Sequence, residues 1–264
     1  MKRLLAGGAL GLLALACWVW LGLPSRSEVR GLVTKNPGKT RLMLQREAEA
    51  KARKRKPRTA QQWVPLAQVS RSLIQAVISS EDQKFFGHEG IDWAAIKESA
   101  ETNVKKGRAV RGGSTLTQQL AKNLYFGTEK SLLRKLREAV VTGWLEDDLS
   151  KARILTLYLN VIEWGDGVYG CEAAAREWFG KACADLSIDE AAGLSGMVPN
   201  PRRINPRVNA ARYERAKRRV LWLMAHAEYI EKGLAGLGSE PPPEVEPLEE
   251  DAPPEADPPP ADGR

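Results

Sequence analysis

Through most of the chain, apolar side chains return every three or four residues, the interval that puts them on one face of a helix. Leu66, Val69, Leu73, Ala76 and Val77 form one such stripe. Asp92 is placed to cap a helix over 93–106 that Gly107 would end. In the next segment Leu116, Leu120 and Leu124 recur on one side, while Ser114, Gln118 and Lys122 recur on the other, with Ser114 as the expected cap. Ser131 opens a helix on which Leu133, Leu136, Val140 and Trp144 share a face, and Ser150 opens another that runs to Asn160. Ser187-Ile188-Asp189-Glu190 reads as a capping box ahead of an Ala-rich helix stopped by Pro199, and a basic helix over 208–233 closes the body. No stretch alternates with a period of two over a strand's length, so the class is mainly α.

The two ends break this pattern. Residues 4–23 are twenty uncharged, mostly apolar positions; at 1.5 Å per residue they span about 30 Å, the thickness of a bilayer's hydrocarbon core. Ala14-Leu15-Ala16 resembles a signal cleavage site, but the apolar run continues past it, which favours an uncleaved transmembrane anchor. Basic residues flank both sides of this run, Lys2 and Arg3 before it and Arg26 and Arg30 after it, so charge alone leaves the orientation open. Residues 24–62 read as a basic juxtamembrane connector, helical over 45–55 and dense in charge at 51–58. Residues 63–238 form the globular domain, and 239–264, rich in Pro, Glu and Asp, read as a disordered tail.

Charge sharpens the picture. The net +7 includes a tail from Glu240 with nine acidic residues and one basic one, so the rest of the chain is more basic still and suits anionic partners. Three Cys and two His without metal-ligand spacing argue against a zinc site; Cys171 and Cys183 read as buried free thiols in preference to the disulfide that an oxidising compartment would allow.

Two stretches carry candidate chemistry, EDQKFFGHEGID at 81–92 and GGSTLTQQLAKN at 112–123. Glu81, at the end of an apolar-periodic helix, becomes a general base if desolvation raises its pKa; otherwise it is a solvated helix-end acid. His88 and Asp92 read as structural members of the turn, and Asp82 fits either role. Lys122, Lys130, Arg134 and Arg137 would make a cationic cluster around one acid, Glu138, which a pyrophosphate would offset. An exposed basic helix with a surface Arg134–Glu138 pair explains the same spacing.

Five segments in order resemble the glycosyltransferase family 51 domain of peptidoglycan synthases. They are the two stretches above, RKLREAVVTGWLE (134–146), ILTLYLNVIEWGDGVYGCEAAA (154–175) with WFGK (178–181), and LSIDEAAGLSGMVPNPRRINP (186–206). EWGDGVYG at 163–170 is most similar to the monofunctional biosynthetic transglycosylases. The resemblance implies a lysozyme-like α domain with a small membrane-associated lobe near 93–111. It implies Glu81 as catalytic base and Glu138 as second essential acid. Ser114, Gln118, Gln119, Lys122, Lys130, Arg134 and Arg137 would line the pyrophosphate-sugar site; Lys130 stands where relatives often carry Arg. The implied substrates are lipid II and a lipid-linked glycan chain, with no covalent cofactor and room for a divalent cation, magnesium or manganese, at the pyrophosphate. The implied setting is the cytoplasmic (inner) membrane with the domain on its periplasmic or extracellular side, alongside other cell-wall synthesis or division proteins and without nucleic acid. Two rivals remain: a lytic enzyme on the same scaffold, and a non-enzymatic membrane protein binding anionic lipid.

Overall fold

Hydroxyl and amide caps set most of the helix boundaries. A computed structural model of the chain describes residues 11, 14, 16–105, 107, 113–129, 131–227 and 233–234. The first ten positions, part of the expected lobe at 108–111, Lys130 and the acidic tail lie outside them. Residues 16–20 are helical, and no helix among the described residues is long and apolar enough to cross a membrane.

The helices are α1 (Arg26–Gly31), α2 (Arg41–Ala52), α3 (Arg71–Glu81), α4 (Trp93–Lys105), α5 (Leu116–Ala121), α6 (Leu132–Asp148), α7 (Lys151–Val161), α8 (Cys171–Phe179), α9 (Ile188–Met197) and α10 (Ala210–Ala225). Thr40, Ser70, Ser131, Ser150, Ser187 and Asn209 each accept a first-turn N–H with a side-chain oxygen; each such cap contributes about 1 kcal/mol. The capping box at Ser187 and Glu190 is present. The last helix is shorter than its sequence pattern predicts: it begins after Asn209, which accepts from the Arg212 N–H, and its described part ends at Ala225.

The core gathers α3, α5, α7 and α9. Helix α9 packs on α3 and α10, and α5 packs on α6 and α7. Leu73, Val77, Leu120, Leu155 and Leu194 are fully enclosed; each such side chain contributes about 1.5–3 kcal/mol by leaving water. Cys171 and Cys183 are buried free thiols, and the hydrogen bond between them, together with burial, pushes the Cys171 thiol up.

A small sheet, invisible in the sequence pattern, lies beside α8. Strand β1 (Ala60–Gln61) runs parallel to β3 (Val168–Tyr169), which pairs antiparallel with β2 (Glu163–Gly165). Two or three residues are too few for alternation to register. Asn160 ties this sheet to the body: its Oδ1 accepts from the Val64 N–H at 2.9 Å and its Nδ2 donates to the Val64 carbonyl at 2.9 Å.

The connector is folded onto the domain. Leu42 and Met43 of α2 are buried, as are Val29 and Leu32. Arg153, 3% exposed, donates from Nε to the Leu32 carbonyl and from Nη2 to the Lys35 carbonyl and Asn36 Oδ1. Burial without a carboxylate partner pushes its guanidinium down to about 10.

Candidate active site

Helix α3 delivers Glu81 in its last turn. The chain leaves the helix at Asp82, whose extended backbone (φ −162°) ends the α-helical run. The Asp82 carboxylate then joins three segments. It accepts from the Leu116 N–H at the start of α5 (2.9 Å) and from His88 Nε2 (3.0 Å). His88 Nδ1 accepts from the Gly90 N–H at 3.1 Å, so the proton given to Asp82 sits on Nε2. Gly90 holds φ +84°, and a Cβ there would come within 2.7 Å of Thr142 Cγ2. Its carbonyl accepts from Thr115 Oγ1 at 2.6 Å. Asp92 Oδ1 accepts from the Ala95 N–H at 2.8 Å and so caps α4.

Thr115, not Ser114, caps α5. Its Oγ1 accepts from the Gln118 N–H, and Gln118 Oε1 accepts from the Thr115 N–H in return. The expected polar face therefore divides. Gln118 is spent on the cap, while Ser114 lies before the helix and accepts from Lys135 Nζ at 3.2 Å. Thr115 also makes a second interaction, in which its Oγ1 donates to the Gly90 carbonyl and so ties the cap to the turn.

Gln119 points at the acid. Its Nε2 donates to Glu81 Oε2 at 2.8 Å, and its Oε1 accepts from the Tyr158 hydroxyl at 2.9 Å, which fixes the amide's orientation. Desolvation pushes the Glu81 carboxyl above its ordinary 4.5, with the Gln119 hydrogen bond, Lys122 and Arg219 pulling it back. Burial likewise pushes the Lys122 ammonium below 10.5, helped by Arg134 and Arg46 and opposed by Glu81. Lys122 therefore lies within electrostatic reach of both the acid and the cations of α6.

Glu138 is fully buried and paired with Arg134 through Oε1 and with Lys135 Nζ through Oε2 at 2.8 Å. Two cations offset the cost of removing this carboxylate from water. Burial and the neighbouring Arg134 and Lys122 push the Lys135 ammonium down. The buried face of α6 is Glu138, Val141, Thr142 and Leu145 rather than the Leu133, Leu136, Val140 and Trp144 stripe the sequence suggests. Leu136 stays 46% exposed, because the Glu138 side is the one that packs toward α5. Trp144 meets the N-terminal segment, edge-on to Trp20 and beneath Arg26.

Of the residues the resemblance groups together, Glu81, Gln119 and Lys122 meet through contacts and charge, and Lys135 links Ser114 to Glu138, which Arg134 also pairs. Arg137 instead donates to the Trp18 carbonyl (2.6 Å) and the Val19 carbonyl (3.1 Å). Lys130 falls outside the described residues. Sequence reasoning missed Lys135, Tyr158 and Arg219. Lys135 was legible as the cation three residues before Glu138; Tyr158 and Arg219 come from other helices and left no local signal. Among the described residues no group of three His, Cys, Asp or Glu side chains converges on one point. Both Glu138 oxygens already face cations, so a divalent ion here would need oxygens supplied by a substrate phosphate.

A carboxyl pushed up by burial and facing ammonium and guanidinium groups is the arrangement an acid–base catalyst for an anionic substrate requires. Comparison with known proteins makes this specific. Residues 48–226 match the family model described as Transglycosylase. A biosynthetic peptidoglycan transglycosylase of Dechloromonas aromatica (strain RCB) is 52% identical over 167 residues, covering 63% of this chain and 72% of that protein. One of Azoarcus sp. (strain BH72) is 44% identical over 226 residues, covering 84% and 94%. The chain belongs to the transglycosylase family.

Proposed function

We propose that the chain is a peptidoglycan glycosyltransferase that polymerises lipid II into glycan strands. Glu81 takes the proton from the 4-hydroxyl of N-acetylglucosamine on an incoming lipid II. That oxygen attacks C1 of N-acetylmuramic acid at the reducing end of the lipid-linked glycan. The anomeric centre inverts and undecaprenyl pyrophosphate leaves. Positive charge develops on the sugar ring as the glycosidic bond to the pyrophosphate breaks. Lys122, Arg134 and Lys135 offset the charge growing on the leaving group, and Glu138 holds the latter two in place. A divalent cation, when carried on the pyrophosphate, would add to that stabilisation.

The observation that supports this reading best is the Glu81 carboxylate held at 2.8 Å by Gln119, in a desolvated setting that pushes its carboxyl up and with Lys122 acting on it. The apolar run at 4–23 is then a single inner-membrane span that holds the domain on the outer side beside its lipid-linked substrates, with cell-wall synthesis or division proteins as neighbours. The fold is the lysozyme-like domain of the family, with the α4 region as its membrane lobe, where Trp93 is 71% and Val104 81% exposed. The test is polymerisation of purified lipid II by wild type and Glu81→Gln. Loss of the base should lower the rate about 10²- to 10⁴-fold. Normal strand output from the variant refutes the assignment, and cleavage of sacculi without polymer would favour the lytic reading.

A further inference from the structure

A second basic site lies away from Glu81. A cavity of about 650 Å³ opens between the end of α2 and the loop at 199–208, and neither Glu81, Gln119 and Lys122 nor Arg134, Lys135 and Glu138 line it. Seven arginines face it against two carboxylates, Asp166 and Glu177. Four of the arginines are held by acids: Arg46 by Glu163 (2.9 Å), Arg202 by Asp166 (3.0 Å), and Arg58 and Arg207 by Glu177 (2.7 and 2.5 Å). Arg207 also lies 4.7 Å over the Trp178 ring, so one wall is rigid. The other three, Arg53, Arg55 and Arg203, have no acidic partner among the described residues.

The backbone is set to present them. Arg53 ends α2, and Lys54 adopts φ +54°, the one left-handed non-glycine conformation among the described residues. It turns the chain within one residue, so that Arg53 and Arg55 line the same cavity, and the Arg55 N–H closes the turn on the Ala50 carbonyl at 2.9 Å. Arg203 arrives from the opposite wall, where Asn205 holds the loop by donating to the Pro201 carbonyl and accepting from the Val208 N–H. Unpaired guanidinium forks converging from two segments match the oxygens of a phosphoryl group bidentately, and the three arginines left over once Glu163, Asp166 and Glu177 hold the other four suit a ligand with more than one negative charge.

We propose that this cavity is a second anion-binding site that takes a phosphate or pyrophosphate group, either from a lipid headgroup or free in solution. It does not rest on the glycosyltransferase reading, whose own cations, Lys122, Arg134 and Lys135, do not line this cavity; the one link is Arg46, which acts electrostatically on Lys122.

The experiment is calorimetric titration of inorganic pyrophosphate into the full chain in detergent. Binding should persist in Lys122→Ala/Arg134→Ala, which empties the proposed catalytic cluster. It should weaken at least about tenfold in Arg53→Ala/Arg55→Ala/Arg203→Ala, the loss expected for even one charge-assisted hydrogen bond. These three side chains are exposed, so the variant should keep the wild-type circular dichroism and melting temperature. Absence of pyrophosphate binding, or equal affinity in the triple variant, overturns the proposal. If only the Lys122/Arg134 variant loses binding, this site fails while the catalytic reading stands. Repeating the titration in nanodiscs of phosphatidylcholine, with and without phosphatidylglycerol, identifies the source: competition by the anionic lipid marks a headgroup site, and its absence marks soluble phosphate.

Discussion

Gln119 donates a 2.8 Å hydrogen bond to Glu81 while its own carbonyl is held by Tyr158. The bond favours the ionised acid, and burial opposes it. Removing the amide in Gln119→Ala should therefore raise the Glu81 carboxyl further. The acid limb of the kcat/KM profile should move to higher pH, with about a tenfold or greater loss on that limb. A profile that drops uniformly, with no shift of the limb, would mean that Gln119 acts on substrate instead.

Glu81 also has a stability signature. Its folded carboxyl titrates above 4.5, so between that value and the folded one the native chain keeps a proton that the unfolded chain has released. Stability is intact below 4.5 and declines as pH rises through the folded pKa. Glu81→Gln lacks this penalty, so its melting temperature should gain on wild type as pH rises from about 4 to about 8. A constant difference across that range contradicts the account.

Asp82→Ala removes the acceptor for both the Leu116 N–H and His88. Leaving a buried donor unsatisfied costs about 1–3 kcal/mol. The variant should melt several degrees lower, and residues 85–92 should gain hydrogen-exchange rate before the rest of the domain. Unchanged protection there would argue against Asp82 as the tie between α3 and α5.

Arg137 separates geometry from resemblance. Its guanidinium serves the Trp18 and Val19 carbonyls. Arg137→Ala should leave the affinity for a phosphoglycolipid inhibitor within about threefold, whereas Lys122→Ala should weaken it tenfold or more. Equal losses in the two variants would return Arg137 to the pyrophosphate site.

What the sequence reveals here is what is local. Ser131, Ser150 and the Ser187–Glu190 box could be read because a cap and its N–H lie three residues apart. The tie from Thr115 to the Gly90 carbonyl could not, because its two ends lie 25 residues apart in the chain. The α6 face was misjudged because its inward side carries Glu138, polar by residue type but neutralised in place by Arg134 and Lys135. Tyr158 reaches Gln119 from α7 and Arg219 acts on Glu81 from α10, a convergence that only the fold creates.

Arg153 grips the backbone at 32 and 35 and the side chain of Asn36. The stretch leading in from the apolar run is thus a strut rather than a leash. With the proposed membrane span holding the amino-terminal end, such a strut would fix the stand-off between bilayer and Glu81, and the domain would not swing to meet distant substrate. Its working radius would then be set by travel of the whole molecule, and loosening Arg153 would trade that fixed height for slack.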